Sequence, residues 1–158
     1  MSFTLRTYEP ADFESLYAID QACYVRGIAY SRSTLRWFLA LRGRECVVAV
    51  KEMKPDVRDA GTIIGFILAE AEGSEAHIIT LDVAALHRRL GIGTALLREI
   101  EKRLKERGVS EVSLETKTSS EAAVAFWQAH GYRATGVLQR YYLNRFDAFA
   151  MTKSLSGQ

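Results

Sequence analysis

Two prolines, two cysteines and three histidines are all that 158 residues hold of the types that break elements, bridge them or bind metals. The cysteines, Cys23 and Cys46, stand alone in apolar-patterned segments, with no CxxC or Cys/His spacing. That pattern excludes a disulfide framework, points to no metal, and reads as two buried, reduced thiols. No apolar run reaches the roughly 18 residues a membrane-spanning helix needs. The opening MSFTLRTYEPADFE meets acidic residues early and has no apolar signal-peptide core. Net charge is only +2, too little for a general nucleic-acid binder. Repeats, low-complexity tracts and proline-rich linkers are also missing, so the expectation is one domain over 1–158, working in the cytoplasm as an enzyme or small binding module.

What is present is regular. EPADFESLYAIDQACY carries apolar residues at 13, 16, 17, 19, 23 and 24, close to helical spacing, with Asp12 as N-cap. SRSTLRWFLALRG reads as a second helix, capped by Ser33 and stopped at Gly43. CVVAV and TIIGFILAEA are β-branched runs, hence strands, separated by a loop holding Pro55 and Gly61. Gly73-Ser74 turns into a third strand, AHIITLDVA. From Gly93 to Arg107, residues 96, 97, 100 and 104 form one apolar stripe, and Gly108 stops the helix. EVSLETK is a strand, and SSEAAVAFWQAHG a short helix capped by Ser119 or Ser120. YRATGVLQRYY and DAFAMTKSL close the chain as a strand pair. With FTLRTY as first strand the order is β-α-α-β-β-β-α-β-α-β-β, a mixed α/β (α+β) arrangement.

One stretch asks for an anion. In LHRRLGIGTALL, residues 86–97, two glycines follow two arginines between a strand and a helix. A helix N-terminus offers unpaired N–H groups and about half a positive charge, and glycine lets an anion approach the backbone. Arg88 and Arg89 can add charge-assisted hydrogen bonds. From His87 to Gly108 seven Lys/Arg face three Glu, a local excess of cations in an otherwise balanced chain. A Walker A loop is excluded, because Gly91 and Gly93 have neither its spacing nor its lysine. A dinucleotide fingerprint is closer, with Glu115 at about the distance of its ribose acid. Yet Leu96 stands where its third small residue belongs, and several antiparallel-looking strands precede the glycines.

The whole unit from Val83, VAALHRRLGIGTA, resembles the [QR]-x-x-G-x-[GA] signature of the GNAT acetyltransferase superfamily, met by Arg88, Gly91 and Gly93. The family's proline after the strand is Ala85 here. LETKTSSEAAVAFWQAHGY resembles the second motif of that superfamily, and the element order matches along nearly the full chain. The ending QRYYLNRFDAFAMTKSL looks like that of RimI-like protein N-terminal acetyltransferases. The resemblance implies a mixed, mostly antiparallel sheet splayed between strands 4 and 5 and flanked by helices. It also implies acetyl-CoA as cosubstrate, no metal, and an acceptor amine, most readily a protein or peptide N-terminus.

By the same resemblance, Leu81, Asp82 and Val83 lie along the pantetheine arm, with the Val83 N–H polarising the thioester carbonyl. Arg88, Arg89, Leu90, Gly91, Ile92, Gly93 and Thr94 surround the pyrophosphate. Ser120 replaces the family's cofactor-contacting asparagine. Glu115 is the candidate base, directly or through a water, while Tyr141 and Tyr142 hold the incoming peptide. The family's tyrosine acid aligns with Trp127, whose indole is no practical acid, leaving Tyr142 or Tyr132 as replacements. His77, His87 and His130 read as structural. A neutral amine is needed, at about 1.4 kcal/mol for an α-amine of pKa ~8 and about 4.6 kcal/mol for lysine. Three alternatives stay open: a small-molecule amine acetyltransferase of the same fold, a catalytically silent acetyl-CoA-binding module, and a dinucleotide binder. No nucleic-acid or membrane partner is expected, and the chain is a monomer or homodimer.

Overall fold

Seven strands form one twisted sheet that separates two pairs of helices in the computed structural model, which describes residues 2–52 and 61–156. Pro55 lies outside the described residues. In chain order the elements are β1 (Phe3–Thr7), α1 (Phe13–Cys23), α2 (Arg32–Leu39), β2 (Arg44–Lys51), β3 (Ile63–Glu72) and β4 (Glu75–Val83). Then come α3 (Ile92–Glu106), β5 (Glu111–Lys117), α4 (Glu121–Ala129), β6 (Arg133–Tyr142) and β7 (Phe146–Ser154), with short 3-10 turns at Pro10–Asp12 and Ala85–His87. The element order matches the one the hydrophobic periodicities give.

The sheet order is β1-β2-β3-β4-β5-β7-β6. All neighbouring pairs are antiparallel except β4 with β5. A doubly wound dinucleotide fold, with its run of parallel strands, is therefore excluded. The β4–β5 ladder is short, pairing Glu75 with Glu111, Ala76 with Val112 and His77 with Ser113. Beyond His77 the two strands part.

A register shift contributes to the parting. Leu68 of β3 faces Thr80, whereas the next residue, Ala69, faces Ile78, so Ile79 is an extra residue in β4. Such a bulge sharpens local twist and bends the strand that holds it. It also flips the side-chain alternation. Leu81 and Val83 pack with the α3 face, while Ile79 packs with the α1–α2 face.

Each face of the sheet has its own core. On one, Leu96, Leu97, Ile100 and Leu104 of α3 are fully buried against Val47, Ile64, Ile67, Val112 and Leu114. On the other, Phe13 and Leu16 of α1 and Leu35 and Leu39 of α2 cover Val48, Phe66 and Leu68. The apolar stripe of the Gly93–Arg107 segment thus faces the sheet as its spacing requires.

The caps of α1 and α2 differ from the sequence reading. Asp12 precedes α1 but makes no side-chain cap to it. Its carboxylate is taken by Arg6 at 2.7 and 2.9 Å and by the Glu9 N–H at 2.8 Å. A bidentate ion pair is stronger than a neutral cap bond, so it wins the carboxylate. The second helix is capped by Ser31, whose Oγ accepts from the Thr34 N–H at 3.2 Å, and not by Ser33; it ends at Leu39, ahead of Gly43. Ser31 adopts extended backbone angles at that position, as a capping residue must.

The Arg6 guanidinium holds the Asp12 carboxyl below the usual carboxylate range. A depressed native pKa stabilises the fold above the unfolded value of ~3.9, and that stability is lost as pH falls through the native value. Asp12→Asn is therefore expected to destabilise the protein by about 1–3 kcal/mol at pH 7, with the deficit shrinking below pH ~4. Urea melts of both proteins across pH check this.

Candidate active site

Where β4 and β5 part, a cleft of about 610 Å³ runs from the α1–α2 loop to the neighbourhood of α4. Just beyond its α4 wall lies the start of α3, where a Cβ on Gly93 would stand 3.6 Å from the cleft residue Phe126. Its first intrahelical hydrogen bond is Ala95 N–H to the Gly91 carbonyl, at 3.0 Å. The N–H groups of Ile92, Gly93 and Thr94 thus have no acceptor within the helix, as at any helix start, and no side chain caps them. Gly91 has φ +81°, a left-handed conformation that a side chain would strain, and open space where a Cβ would stand. At Gly93 a Cβ would project toward Phe126 and Val83. The start of α3 thus offers backbone N–H groups without helical acceptors, with open space beside Gly91.

The arginines divide. Arg88 turns away from the helix start: its Nε donates to the Val83 carbonyl at 3.1 Å and its Nη2 to Cys23 Sγ at 3.4 Å. Arg89, at φ +62°, remains beside the amides. Cys23, expected to be buried, is half-buried on the cleft wall, while Cys46 is buried in the α1–α2 core. Asp82 does not line the cleft. Its carboxyl is buried on the α1 side, accepts from Thr80 Oγ1 at 2.5 Å, and is pushed well up by burial and the neighbouring Asp20.

The other end gathers polar side chains from three elements. Glu115 of β5, only 19% exposed, accepts from His77 Nε2 at 2.5 Å and from the Tyr141 hydroxyl at 3.1 Å. The bond from His77 holds the Glu115 carboxyl below its usual range, with Tyr141 adding to it. Burial raises the Tyr141 phenol, and raises that of Tyr142 to about 12. Over these residues lies the loop between α1 and α2. Tyr30 donates its N–H to Asp20 at 2.7 Å and its hydroxyl to the Ile79 carbonyl at 3.4 Å, while the Tyr24 hydroxyl lies 3.4 Å from Thr80 Oγ1.

A family model described as the acetyltransferase (GNAT) family matches residues 13–132. The chain belongs to that family. An N-alpha-acetyltransferase of Sulfurisphaera tokodaii is 32% identical over 108 residues, which is 60% of this chain and 65% of that one. The [ribosomal protein bS18]-alanine N-acetyltransferase of Escherichia coli is 25% identical over 97% of this chain and 98% of that one. A crystal structure of Arabidopsis thaliana NAA60 with acetyl-CoA shares the fold at TM-score 0.85, with 22% identity over 99% of this chain and 100% of that one. Among the first curated relatives it matches, the chain spans 49% to 65% of their length.

Within this GNAT chain, Leu81 and Ser120 both line the cleft, and the Ser120 hydroxyl makes no cap to α4. Trp127, at the place of the family's tyrosine, is 8% exposed and lines the cleft with its ring edge-on to Phe126 and Tyr132. Tyr132 is withdrawn: it is buried and its hydroxyl donates to Glu101 at 2.8 Å, so it is no substitute acid. His130 fits the structural role expected of it, bonded to Thr94 and to the Phe126 carbonyl. His77 does not, since it lies in the cleft bonded to Glu115. The signal for it is the parallel pairing of AHIITLDVA with EVSLETK, which sets His77 beside Ser113, two residues before Glu115.

His77→Ala is expected to move the Glu115 carboxyl upward toward its ordinary pKa, because the strongest hydrogen bond to the charged form is lost. Carbon-13 NMR titration of the Glu115 side chain reads this. An unmoved titration would show that the pair does not form.

Proposed function

We propose that this protein is an acetyl-CoA-dependent N-acetyltransferase acting on the N-terminal α-amino group of a peptide or protein. The observation that carries the reading is Glu115 clamped between His77 and Tyr141 at one end of the β4–β5 gap, with the bare amides of α3 at the other. The cleft thereby holds a proton acceptor, and an anion cradle adjoins it beyond Phe126, at the end of β4. The names of the relatives, several of them protein N-terminal acetyltransferases, agree with it.

Each residue has a task in this reading. The free edge of β4 at Leu81, Asp82 and Val83 pairs through its backbone with the amides of the pantetheine arm, as an added strand would. The N–H groups from Arg89 through Leu90, Gly91, Ile92 and Gly93 to Thr94 hold the pyrophosphate, with the Ser120 hydroxyl as a further donor. Arg88 acts from the other side, fixing the end of β4 by its bond to Val83. Acetyl-CoA, when bound, supplies an acetyl thioester beside the Val83 N–H.

On the acceptor side, Tyr141 and Tyr142 position the peptide, and Glu115 takes the amine proton, directly or through a water. His77 is part of this base. An ionised Glu115 can only accept, so His77 donates to it from Nε2 and fixes its orientation. Tyr142, raised to about 12, is a weaker acid than a thiol of pKa ~8.5. It can hydrogen-bond a departing thiolate but not protonate it with profit. Turnover therefore proceeds without a strong general acid, a loss that is typically 10² to 10⁴ where one is used. The enzyme works in the cytoplasm in this reading, as a monomer or homodimer.

Two measurements test the proposal. Isothermal calorimetry is expected to detect coenzyme A binding to the wild-type chain and at least tenfold weaker binding to Gly91→Val, where a β-branched residue is forced to positive φ against the anion. Glu115→Gln is expected to lower kcat about 10²-fold or more with a peptide acceptor. The deficit should narrow above pH ~8, where the amine is already neutral, since the low Glu115 pKa keeps the wild-type carboxylate charged throughout the neutral range. A pH profile identical to wild type removes Glu115 from the mechanism.

A further inference from the structure

Resting on the reading of an α-amino acceptor, we propose that the acceptor end of the cleft selects a large apolar first side chain, and that Leu143 sets this preference. The β6–β7 turn carries two residues in the left-handed region, Leu143 at φ +55° and Asn144 at φ +53°. Asparagine tolerates that conformation and leucine does not, so ordinary turn chemistry does not explain Leu143. Its side chain explains it better. A Cβ added to Gly27 would lie 2.6 Å from Leu143 Cδ2, which means that Leu143 rests on the bare backbone of Gly27 in the α1–α2 loop. The two loops are thus joined over the cleft by one aliphatic side chain that is still 47% exposed.

The walls beneath this bridge are apolar or aromatic: Tyr24, Val25, Ile28, Tyr30 and Tyr142 line the cleft with Leu143. Val25, 61% exposed, and Leu143 present the aliphatic surface that an incoming side chain would cover. Among the described residues that line the cleft, the ionisable carboxylates and cations are few. His77 and Glu115 bond to each other, and the Lys117 ammonium sits 3.7 Å from the centre of the Phe146 ring. A first residue with a carboxylate would be desolvated here without a partner. Serine or alanine would leave Val25 and Leu143 in water, whereas methionine or leucine would cover both.

The experiment is a steady-state comparison with the full chain, acetyl-CoA and short peptides that differ only in their first residue: methionine, leucine, serine, alanine or aspartate. Methionine- and leucine-first peptides are expected to exceed serine- and aspartate-first ones by about tenfold or more in kcat/KM, mostly through KM. Leu143→Asn, which suits the left-handed turn, is expected to shrink that ratio about tenfold while leaving the thermal midpoint equal or higher. Preference for serine, alanine or aspartate overturns the inference and leaves acetylation standing. So does a ratio that survives Leu143→Asn, or an equal loss on every peptide together with a lower midpoint, the mark of a purely structural tie. Failure to acetylate any peptide by a chain that binds acetyl-CoA overturns both readings.

Discussion

Three backbone pairs between β4 and β5, and no more, set everything downstream in this protein. A parallel pair that continued to Val83 and Lys117 would satisfy its own N–H and C=O groups and leave no cleft. The extra residue at Ile79 bends β4, and the edge that is freed stays polar at the centre of the molecule. Such an edge is normally a liability. Here it is sheltered, because α1 and α2 pack on one face of the sheet and α3 and α4 on the other. The bulge also reverses which side chains meet which helix. His77 and Ile79 look toward the acceptor loop, while Leu81 and Val83 look toward α3.

The loop between α1 and α2 is held by buried polar contacts as well as by apolar ones. Asp20 takes the Tyr30 N–H, and the buried Asp82 beside it takes the Thr80 hydroxyl, which neighbours Tyr24. Burial first, and then the neighbouring Asp20, push the Asp82 carboxyl well up. The Arg88 guanidinium donates to the Val83 carbonyl and so ties down the end of β4.

Most of the fold is legible in the residue pattern, because the periods are strong and the breakers few. The stripe at 96, 97, 100 and 104 and the β-branched runs at CVVAV and TIIGFILAEA leave little choice of element. The caps are less legible. Asp12 obeys Arg6, a residue six positions away on another element, and local capping rules cannot foresee that competitor. Ser31 and Ser33 look alike in a string, and only backbone angles separate them. At the site, the glycine loop and Glu115 stand out because their chemistry is written in short motifs. His77 and the Asp20–Asp82 pair do not, since each gains its role from a distant neighbour, as His77 does from Glu115, 38 positions on; Arg88 stands out in the motif, but its turn toward Val83 and Cys23 does not. Tyr132 shows the converse: its side chain type suits an acid, but Glu101 has already claimed the hydroxyl.

The depressed carboxyl of Glu115 bears on which amine the cleft can serve. A base held below its usual range is a weak one, and the hydrogen bonds from His77 and Tyr141 that orient it also weaken it. Deprotonating a lysine side chain at neutral pH costs about 3 kcal/mol more than deprotonating an α-amine. A strong base could supply part of that difference; this one supplies less than a free carboxylate would. The apolar walls near Tyr24 and Leu143 disfavour the ammonium form of either amine by desolvation, which lowers both pKa values alike and leaves the gap in place. A base held this low therefore fits the proposed acceptor, a peptide terminus, the amine that needs least help to become a nucleophile.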